Sequence, residues 1–508
     1  MGFSLGGASP ELERSSFPVK WVERSPERWI LEINRDVDEH PQSIPESNPF
    51  REISSLNFSS PFIVPQYGIA TPIYSQWILF PEGYQPKVRV AVQRERASTL
   101  EVEKFDLLNS FQNSSPQEER SLIEAAHNEA PWWVRIEGPY HIGGTQWGIL
   151  EITPYQWDEQ ERALYKATGM RIEIEWEASQ NEPQRLWRES YAWQEVLRGL
   201  AFPTRDFVGR MDLLGHYVII LPHQDRALQA ITPLVEWKRR MGYKVTVVTT
   251  QEVGNTAESI KGWLNRAWEE WDLPPTYVLL VGEEQGELRM PTFFDGAQPQ
   301  MSWYMSDQKF VQFEGQGDNN PDMWIPEAFI GRLPVGNVQE LQRMVAKIIG
   351  YERNPFLEQA WVEGAVLIAQ GVRSCIHTNI AIKEILRAFG YSNERFYEAY
   401  NDYPQEVDHN IINQGVDRGI GFINFRGYNN WANYTPAQIR DRRNGWKLPI
   451  VFGMVCATND WSNRYAPNEA IGEAWLRAWQ NNEPAGAVAC FGPTDLYTHT
   501  WFNNTMDG

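Results

Sequence analysis

The stretch Pro449-Ile450-Val451-Phe452-Gly453-Met454-Val455-Cys456 is a continuous apolar run that ends in a cysteine and is followed at once by the turn-forming residues Ala457-Thr458-Asn459-Asp460. A second apolar run, Gly421-Phe422-Ile423-Asn424-Phe425, precedes it and continues into Arg426-Gly427-Tyr428-Asn429-Asn430. Continuous apolar strands are typical of parallel sheets that helices cover on both faces. We therefore predict two adjacent, parallel strands whose carboxyl ends lie at one cleft.

The same pattern extends upstream of these two strands. Further apolar strands are predicted at 217–222, 244–248, 277–282, 328–331 and 365–369. Helical segments are predicted up to about Met241, through Trp263 and Trp268, at 338–353 and near 379–389. Alternation of strand and helix at this spacing predicts a parallel α/β sheet. Before residue 200 the pattern differs, because 87–92, 133–136 and 170–175 alternate apolar and polar residues with a period of two. That period predicts an antiparallel β-rich domain with one solvated face.

The domain limits follow from these changes of pattern. Residues 1–50 are polar and contain several prolines, so we expect an extended or partly disordered lead-in. A β-rich domain is predicted at 51–205, and two successive α/β units at 212–355 and 356–508.

Composition excludes several classes of function. A net charge of −20 and a pI near 5.0 argue against non-specific binding to nucleic acid or to an anionic membrane surface. No apolar stretch approaches the roughly 20 residues of a membrane-spanning helix. The start of the chain shows no basic segment followed by a long apolar one, so no signal peptide is visible. Three cysteines are too few for a disulfide scaffold.

A set of short motifs in the α/β region resembles the gingipain family of secreted bacterial cysteine peptidases. Pro321-Asp322, Phe329-Ile330-Gly331-Arg332-Leu333-Pro334-Val335, Met344-Val345-Ala346-Lys347-Ile348-Ile349 and Tyr351-Glu352 match family motifs in order and spacing. The resemblance implies a caspase-like α/β catalytic domain of two subdomains behind a mainly β propeptide-like domain. It also implies cysteine endopeptidase chemistry on peptide or protein substrates, a secreted or cell-surface location, and the chain's own propeptide-like domain as a partner.

The resemblance also implies where the catalytic groups lie. In the family, a strand ending in Gly-His-Gly supplies the general base and a later strand ending in Ala-Cys supplies the nucleophile, which corresponds to Cys456 here. The histidine position is Tyr428, whose phenol has a pKa near 10 against about 6.5 for imidazole, so it is a donor rather than a base at neutral pH. The backbone N–H of Asn429 remains an oxyanion donor. The acidic residue that orients the histidine in some gingipains is replaced at Val372.

Alternatives remain for several of these residues. Cys456 could instead be a buried structural cysteine, since cysteine is among the most buried residue types. His499 is a candidate rescue base because it follows the last apolar strand, whereas His377 is expected to cap or pack. Cys490 is expected in the core, and Cys375, placed in a polar loop, has no assigned role.

An oxygen-rich segment raises the question of a metal. The resemblance implies a calcium site, to which Asp318 and Asp322 could contribute oxygen ligands. The alternative is a turn whose Asp and Asn side chains satisfy their own backbone. No other cofactor is required.

Two functions are therefore compared. The first is a gingipain-like cysteine peptidase homologue that keeps its nucleophile, has lost its base and has impaired activity. The second is a non-catalytic pseudopeptidase that uses the cleft to bind peptide or protein partners. We also expect the 356–508 unit to be truncated at its C-terminal end, since gingipain catalytic domains continue beyond the last strand, which would make this chain a fragment of a longer gene product.

Overall fold

The computed structural model describes residues 19–24, 28–34, 58–64, 69–81, 83–96, 133–142, 145–153, 155–158, 161, 163–178, 214–295, 304–313, 326–353, 355–356, 358–371, 373–402, 407–427, 429–461 and 469–494. The chain divides into two compact units, one formed by residues 1–185 with 197–206 and the other by residues 186–196 with 207–508.

The first unit is built from two antiparallel sheets. One has the order β1-β2-β9-β5 with β8 also paired to β9, and the other has the order β3-β4-β7-β6. The strands are β1 (Val19–Arg24), β2 (Arg28–Asn34), β3 (Phe58–Val64), β4 (Ile69–Leu79), β5 (Tyr84–Arg96), β6 (Val134–Ile142), β7 (Thr145–Ile152), β8 (Tyr155–Asp158) and β9 (Ala163–Ala178).

Alternation along the strands explains how these sheets pack. In β9, Met170, Ile172 and Ile174 are buried, and they join one apolar core with Ile78 and Leu150 of the other sheet. The sheets therefore pack face to face, each presenting every second residue to the core.

The start of this unit corrects one expectation. Two strands, β1 and β2, lie within the 1–50 segment that was expected to be a lead-in, and β2 pairs with β9. The physical reason is burial: Trp29 and Leu31 point into the core of the unit. Three of the six prolines in this segment, Pro41, Pro45 and Pro49, follow these strands, so composition averaged over 50 residues hides the strands. The remaining domain limits stay a prediction.

The second unit begins with a parallel sheet of order β11-β10-β12-β15. Its strands are β10 (His216–Leu221), β11 (Lys244–Thr249), β12 (Tyr277–Val281) and β15 (Phe329–Leu333), with β13 (Phe293–Asp295) and β14 (Tyr304–Ser306) forming a separate antiparallel pair. The helices are α1 (Asp225–Met241), α2 (Thr250–Val253), α3 (Ala257–Glu270) and α4 (Val338–Arg353), with a 3-10 turn at Gln308–Val311. Ile219 and Leu221 of β10 enter one core and Val218 and Ile220 enter another, so both faces of the sheet are covered.

A second parallel sheet follows, with the order β17-β16-β18-β19-β22. Its strands are β16 (Ala365–Gly371), β17 (Phe396–Asp402), β18 (Phe422–Arg426), β19 (Ile450–Met454) and β22 (Ala489–Phe491), and a short hairpin joins β20 (Trp479–Gln480) to β21 (Glu483–Pro484). The helices are α5 (Arg373–Ala388), α6 (His409–Arg418), α7 (Pro436–Arg440) and α8 (Ile471–Arg477), with 3-10 turns at Glu358–Glu363, Asn393–Arg395 and Asn429–Asn433.

The fold class is as expected: a mainly β unit precedes two parallel sheets flanked by helices. Strand β17 and helix α6 are not among the predicted elements, and α5 begins six residues before its predicted start. Strand β17 lies at the sheet edge with only partly buried side chains at Tyr397 and Glu398, so it lacks the continuous apolar run of a central strand. None of the described helices is long and apolar enough to span a bilayer.

Candidate active site

The carboxyl ends of β18 and β19 lie side by side. The two strands are parallel, with Arg426 opposite Met454 at their last paired position. Cys456 comes two residues after β19, and the 3-10 turn that begins at Asn429 comes three residues after β18. The predicted pairing of the two strands is therefore confirmed, and the loops that follow them leave the same edge of the sheet.

A buried arginine joins these strand ends. Arg426 is fully buried, and its Nη1 donates to the carbonyl of Met454 at 2.5 Å. The next residue is Gly427, which has no Cβ. A Cβ added there would lie 2.9 Å from the carbonyl oxygen of Gln370, near the end of β16. The ends of β16, β18 and β19 are thus in close contact, and a side chain at residue 427 would separate them.

The nucleophile candidate lies on a tight turn. Cys456 is a partly buried thiol. The residue after it, Ala457, has a φ of +56°, in the left-handed region that non-glycine residues seldom adopt. Backbone N–H groups of Thr458 and Asp460 donate to the carbonyls of Val455 and Ala457. Such backbone conformations persist only where the surrounding structure holds them, and they are concentrated at functional sites.

The first sheet of this unit also reaches the cysteine loop, residues 455–461. Arg332, at the end of β15, places its guanidinium carbon 5.5 Å from the ring centroid of Trp461. Asp307 pairs with the same guanidinium through two contacts of 2.7 Å. The Ile-Gly-Arg motif at 330–332 therefore contributes a buried ion pair beside the loop that carries Cys456.

Comparison with known proteins identifies the family. The model described as Peptidase family C25 matches residues 212–507. The chain belongs to peptidase family C25. Among its relatives in Porphyromonas gingivalis, gingipain R2 is 23% identical over 83% of this chain and 58% of its own length, and Lys-gingipain HG66 is 23% identical over 83% of this chain and 25% of its own length. The chain thus spans little more than half of gingipain R2.

A solved structure is also similar. The complex of Porphyromonas gingivalis RgpB pro- and mature domains is 25% identical, covers 55% of this chain and 64% of that chain, and has a TM-score of 0.47. The family match over residues 212–507 confirms the resemblance seen in the motifs. The parallel sheets flanked by helices agree with the caspase-like arrangement that the resemblance implies.

Several expected site residues of this C25 protein lie outside the described residues. These are Tyr428, His499, Val372, Asp318 and Asp322. Their proposed roles therefore stay predictions, including the calcium site. Within the described ranges no group of three or more His, Cys, Asp or Glu side chains is arranged to hold a metal ion.

The other cysteines and His377 are placed by α5 and β22. Cys375 was expected in a polar loop, but it is buried in the first turn of α5, because that helix begins at Arg373. His377 lies on the same helix, partly buried. Cys490 packs against the core as expected, and burial raises the pKa of its thiol to about 12. A thiol of this kind stays protonated at neutral pH, so Cys490 is no competitor for Cys456.

A histidine that the sequence analysis did not select supports the turn after β18. Gln438 Oε1 accepts from the backbone N–H of Thr435, so its amide nitrogen is the atom that faces His409 Nδ1 at 3.0 Å. His409 therefore carries its proton on Nε2, which donates to the carbonyl of Ala432 at 2.8 Å. Ala432 has a φ of +53°, between Trp431 at +50° and Asn433 at +60°. No sequence signal connects His409 with a turn more than 20 residues away.

Proposed function

We propose that this chain is a C25-family cysteine peptidase homologue in which Cys456 is the nucleophile and Tyr428 replaces the histidine base, so that peptide-bond hydrolysis is impaired. The supporting observation is the position of Cys456, which is a partly buried thiol on a strained turn at the shared edge of β18 and β19. Active sites of open α/β sheets lie at this edge.

The chemistry explains why loss of the base matters. A thiol attacks an amide as a thiolate, and the same base that takes its proton later protonates the leaving amine. A phenol cannot take the thiol proton at neutral pH, because it still holds its own proton there, so the thiolate that starts the reaction is not formed. The backbone N–H of Asn429 would still stabilise a tetrahedral oxyanion. A general base contributes about 10²- to 10⁴-fold to rate, so residual hydrolysis is expected to be slower by a factor of this order.

The alternative function is peptide binding without turnover. It is favoured by the same substitution at residue 428, because a cleft without a base keeps its shape. A peptide bearing an electrophilic ketone, with Cys456→Ser as the control, separates the two functions. We expect saturable labelling of Cys456 that is slow at pH 6 and faster at higher pH. Rapid turnover of fluorogenic peptides that Cys456→Ser abolishes would show unimpaired activity, whereas saturable binding without turnover supports the alternative.

A gain-of-base variant tests the proposed cause. Tyr428→His should accelerate labelling of Cys456 at pH 6 to 7, because an imidazole can accept the thiol proton in that range. Val372 and Asn429 remain unlike the family, so full hydrolysis need not return. Unchanged labelling in a folded Tyr428→His protein would show that residue 428 is not the missing base.

Location and partner belong to the same proposal. We infer a secreted or cell-surface protein whose β-rich first unit acts as its propeptide-like domain. The support is the family membership and the order of the two units along the chain. Addition of the separately expressed first unit should slow peptide-probe labelling of Cys456 in the second unit, and unchanged labelling would contradict this role.

A further inference from the structure

Thr458 connects the two loops at the site through one hydroxyl group. Its side chain is fully buried, and Oγ1 accepts a hydrogen bond from the indole Nε1 of Trp431 at 2.8 Å. The same hydroxyl donates to the carbonyl of Val455 at 2.9 Å. A hydroxyl has a single proton, which Thr458 donates to Val455, so the bond from Trp431 is the one that its oxygen accepts. Cys456 lies between the carbonyl and the hydroxyl in sequence.

Neighbouring backbone groups extend this connection to two further elements. The N–H of Gly472 in α8 donates to the carbonyl of Thr458 at 2.8 Å. Asn459 donates from its backbone to Pro493 at 2.9 Å and from its side chain to Gly492 at 3.0 Å, just beyond β22. The cysteine loop is therefore held from the turn after β18, from α8 and from the end of β22.

Close packing leaves little room for the loop to move. The Trp431 ring stacks on Phe425 with centroids 4.7 Å apart and an angle of 10° between the planes. A Cβ on Gly453 would lie 2.5 Å from a carbon of the Trp431 ring and 2.6 Å from the Thr458 methyl group. Only glycine at position 453 allows Trp431 and Thr458 to approach β19 this closely.

We propose that Thr458 is a positioning residue, which restrains Cys456 by hydrogen bonding the cysteine loop to Trp431. Any effect of Thr458 on catalysis rests on the proposed function, in which Cys456 is the nucleophile. Its action as a restraint on Cys456 does not, because the hydrogen bonds exist whether or not the chain hydrolyses peptides. The left-handed Ala457 requires such a restraint, since an unrestrained loop would relax that residue.

The test compares Thr458→Val, which keeps the shape and removes the hydroxyl, with Thr458→Ser, which keeps the hydroxyl. Alkylation of each cysteine by iodoacetamide is followed by mass spectrometry in the folded full-length protein. We expect Thr458→Val to raise the rate at Cys456 by about tenfold, the effect of one buried hydrogen bond on a local opening equilibrium. Thr458→Ser should return the rate to within about twofold of the wild type, and Trp431→Phe should resemble Thr458→Val.

Two controls separate positioning from general loss of stability. Cys375 is buried in α5, so its alkylation rate reports opening beyond the cysteine loop and should not change. Thr276→Val removes another buried hydroxyl, which accepts from the His216 N–H at 3.1 Å in the first sheet, and should leave Cys456 unchanged.

An unchanged Cys456 rate in folded Thr458→Val, or equal increases at Cys375 and Cys456, would overturn the proposal. A peptide electrophile gives a second readout: its labelling should fall in Thr458→Val while iodoacetamide labelling rises. If the peptide electrophile labels no variant, the nucleophile assignment fails, yet the iodoacetamide result still decides the restraint.

Discussion

Arg332 holds four other residues of the second unit in place through its hydrogen bonds. Its five N–H groups all have acceptors: Asp307 takes two, and the carbonyls of Gly282, Met290 and Pro291 take the others. The side chain is only 2% exposed. A buried guanidinium is tolerated when it is paired and fully hydrogen-bonded, and it becomes costly when one partner is lost.

Asp307→Asn should therefore destabilise the second unit by about 3–5 kcal/mol, since it keeps the shape but leaves the Arg332 charge buried without its counter-ion. The matched control is Arg289→Ala, because Arg289 is 53% exposed and 3.8 Å from Glu284. Exposed pairs of this kind contribute about 0–1 kcal/mol. Urea unfolding measures the free energy of unfolding of both variants. Equal decreases in that free energy would contradict the greater cost of the buried charge.

The sequence could identify Arg332 but not its partner. Arg332 stands in a motif beside an apolar strand, whereas Asp307 lies in an irregular stretch and meets it only through the tertiary fold. The same holds for Cys456, whose place is predicted by the apolar run and the turn after it. Thr458 belongs to that turn, but only the tertiary fold brings its partner Trp431 and the more distant His409 to the site. Local pattern predicts strand ends, and packing decides what surrounds them.

Among the elements, α8 has buried ionisable groups at both ends. Near its start Glu473 accepts from the N–H of Ala470 at 2.8 Å and from Arg477 at 2.9 Å. At its end Lys347 of α4 donates to the carbonyl of Leu476 at 2.8 Å. A cation at a helix C-terminus interacts favourably with the helix dipole.

The pKa of Glu473 predicts how stability depends on acidity. Desolvation raises it from 4.5 to about 8, although Arg477 opposes the shift; Glu283 and Glu469, also facing this carboxyl, raise it further. The native state therefore holds a proton that the unfolded state releases, so this group's contribution to stability is complete below pH 4.5 and is lost as pH rises through 8. For one group, the free energy of unfolding changes by at most about 1.4 kcal/mol per pH unit.

Glu473→Gln should flatten this fall between pH 5 and 8, because a neutral amide has no proton to release. Denaturant unfolding at several pH values measures it, and Glu483→Gln on exposed β21 is the control. A pH profile as steep as that of the wild type would show that Glu473 is ionised in the native protein.

The Lys347 ammonium predicts the opposite slope at higher pH. Desolvation lowers its pKa from 10.5 to about 7. The unfolded state then binds the extra proton between these values, so this group's contribution to stability is lost as pH falls through 7 and is complete above 10.5. In Lys347→Met the buried carbonyls of Leu476 and Ala487 lose the ammonium donor, while the carbonyl of Trp475 keeps the N–H of Ala487 at 2.8 Å. The variant should be less stable, and its deficit should grow from pH 7 to 9; a constant deficit would contradict the lowered pKa.

Elements differed in how well the sequence predicted them. The bounds of α4 follow directly from its apolar period, since Leu341, Met344 and Val345 face one core. The first turns of α5, residues 373–378, were missed because Arg373-Ser374-Cys375 is a polar stretch, although Cys375 and the following Asn379 are buried. Asn379 is buried because its side chain donates to Ile368 and accepts from Asn424, a contact that no linear pattern shows.

At the scale of the molecule, the two parallel sheets of the second unit meet through charged side chains. Arg477 of α8 donates to Glu283 at 2.7 Å and to the carbonyl of Pro334 at 2.8 Å, both beside the first sheet. Glu340 of α4 lies 3.5 Å from the same guanidinium. Because Arg477 is nearly buried, its contacts couple the two sheets more strongly than a surface pair would.

Arg477→Met should therefore reduce the cooperativity between the sheets. Loss of the guanidinium leaves the Glu283 carboxylate without its cation and removes the hydrogen bond to Glu473, so the junction opens before either sheet unfolds. Hydrogen exchange across a denaturant series measures it: peptides from β10–β15 and from β16–β22 should share one midpoint in the wild type and separate in Arg477→Met. Lys238→Met is the control, because Lys238 pairs with Glu352 inside the first half at 2.7 Å and its loss should leave the two midpoints together. A shared midpoint in Arg477→Met would mean that the other contacts, among them the hydrogen bonds of Lys347 to α8, are enough to join the sheets.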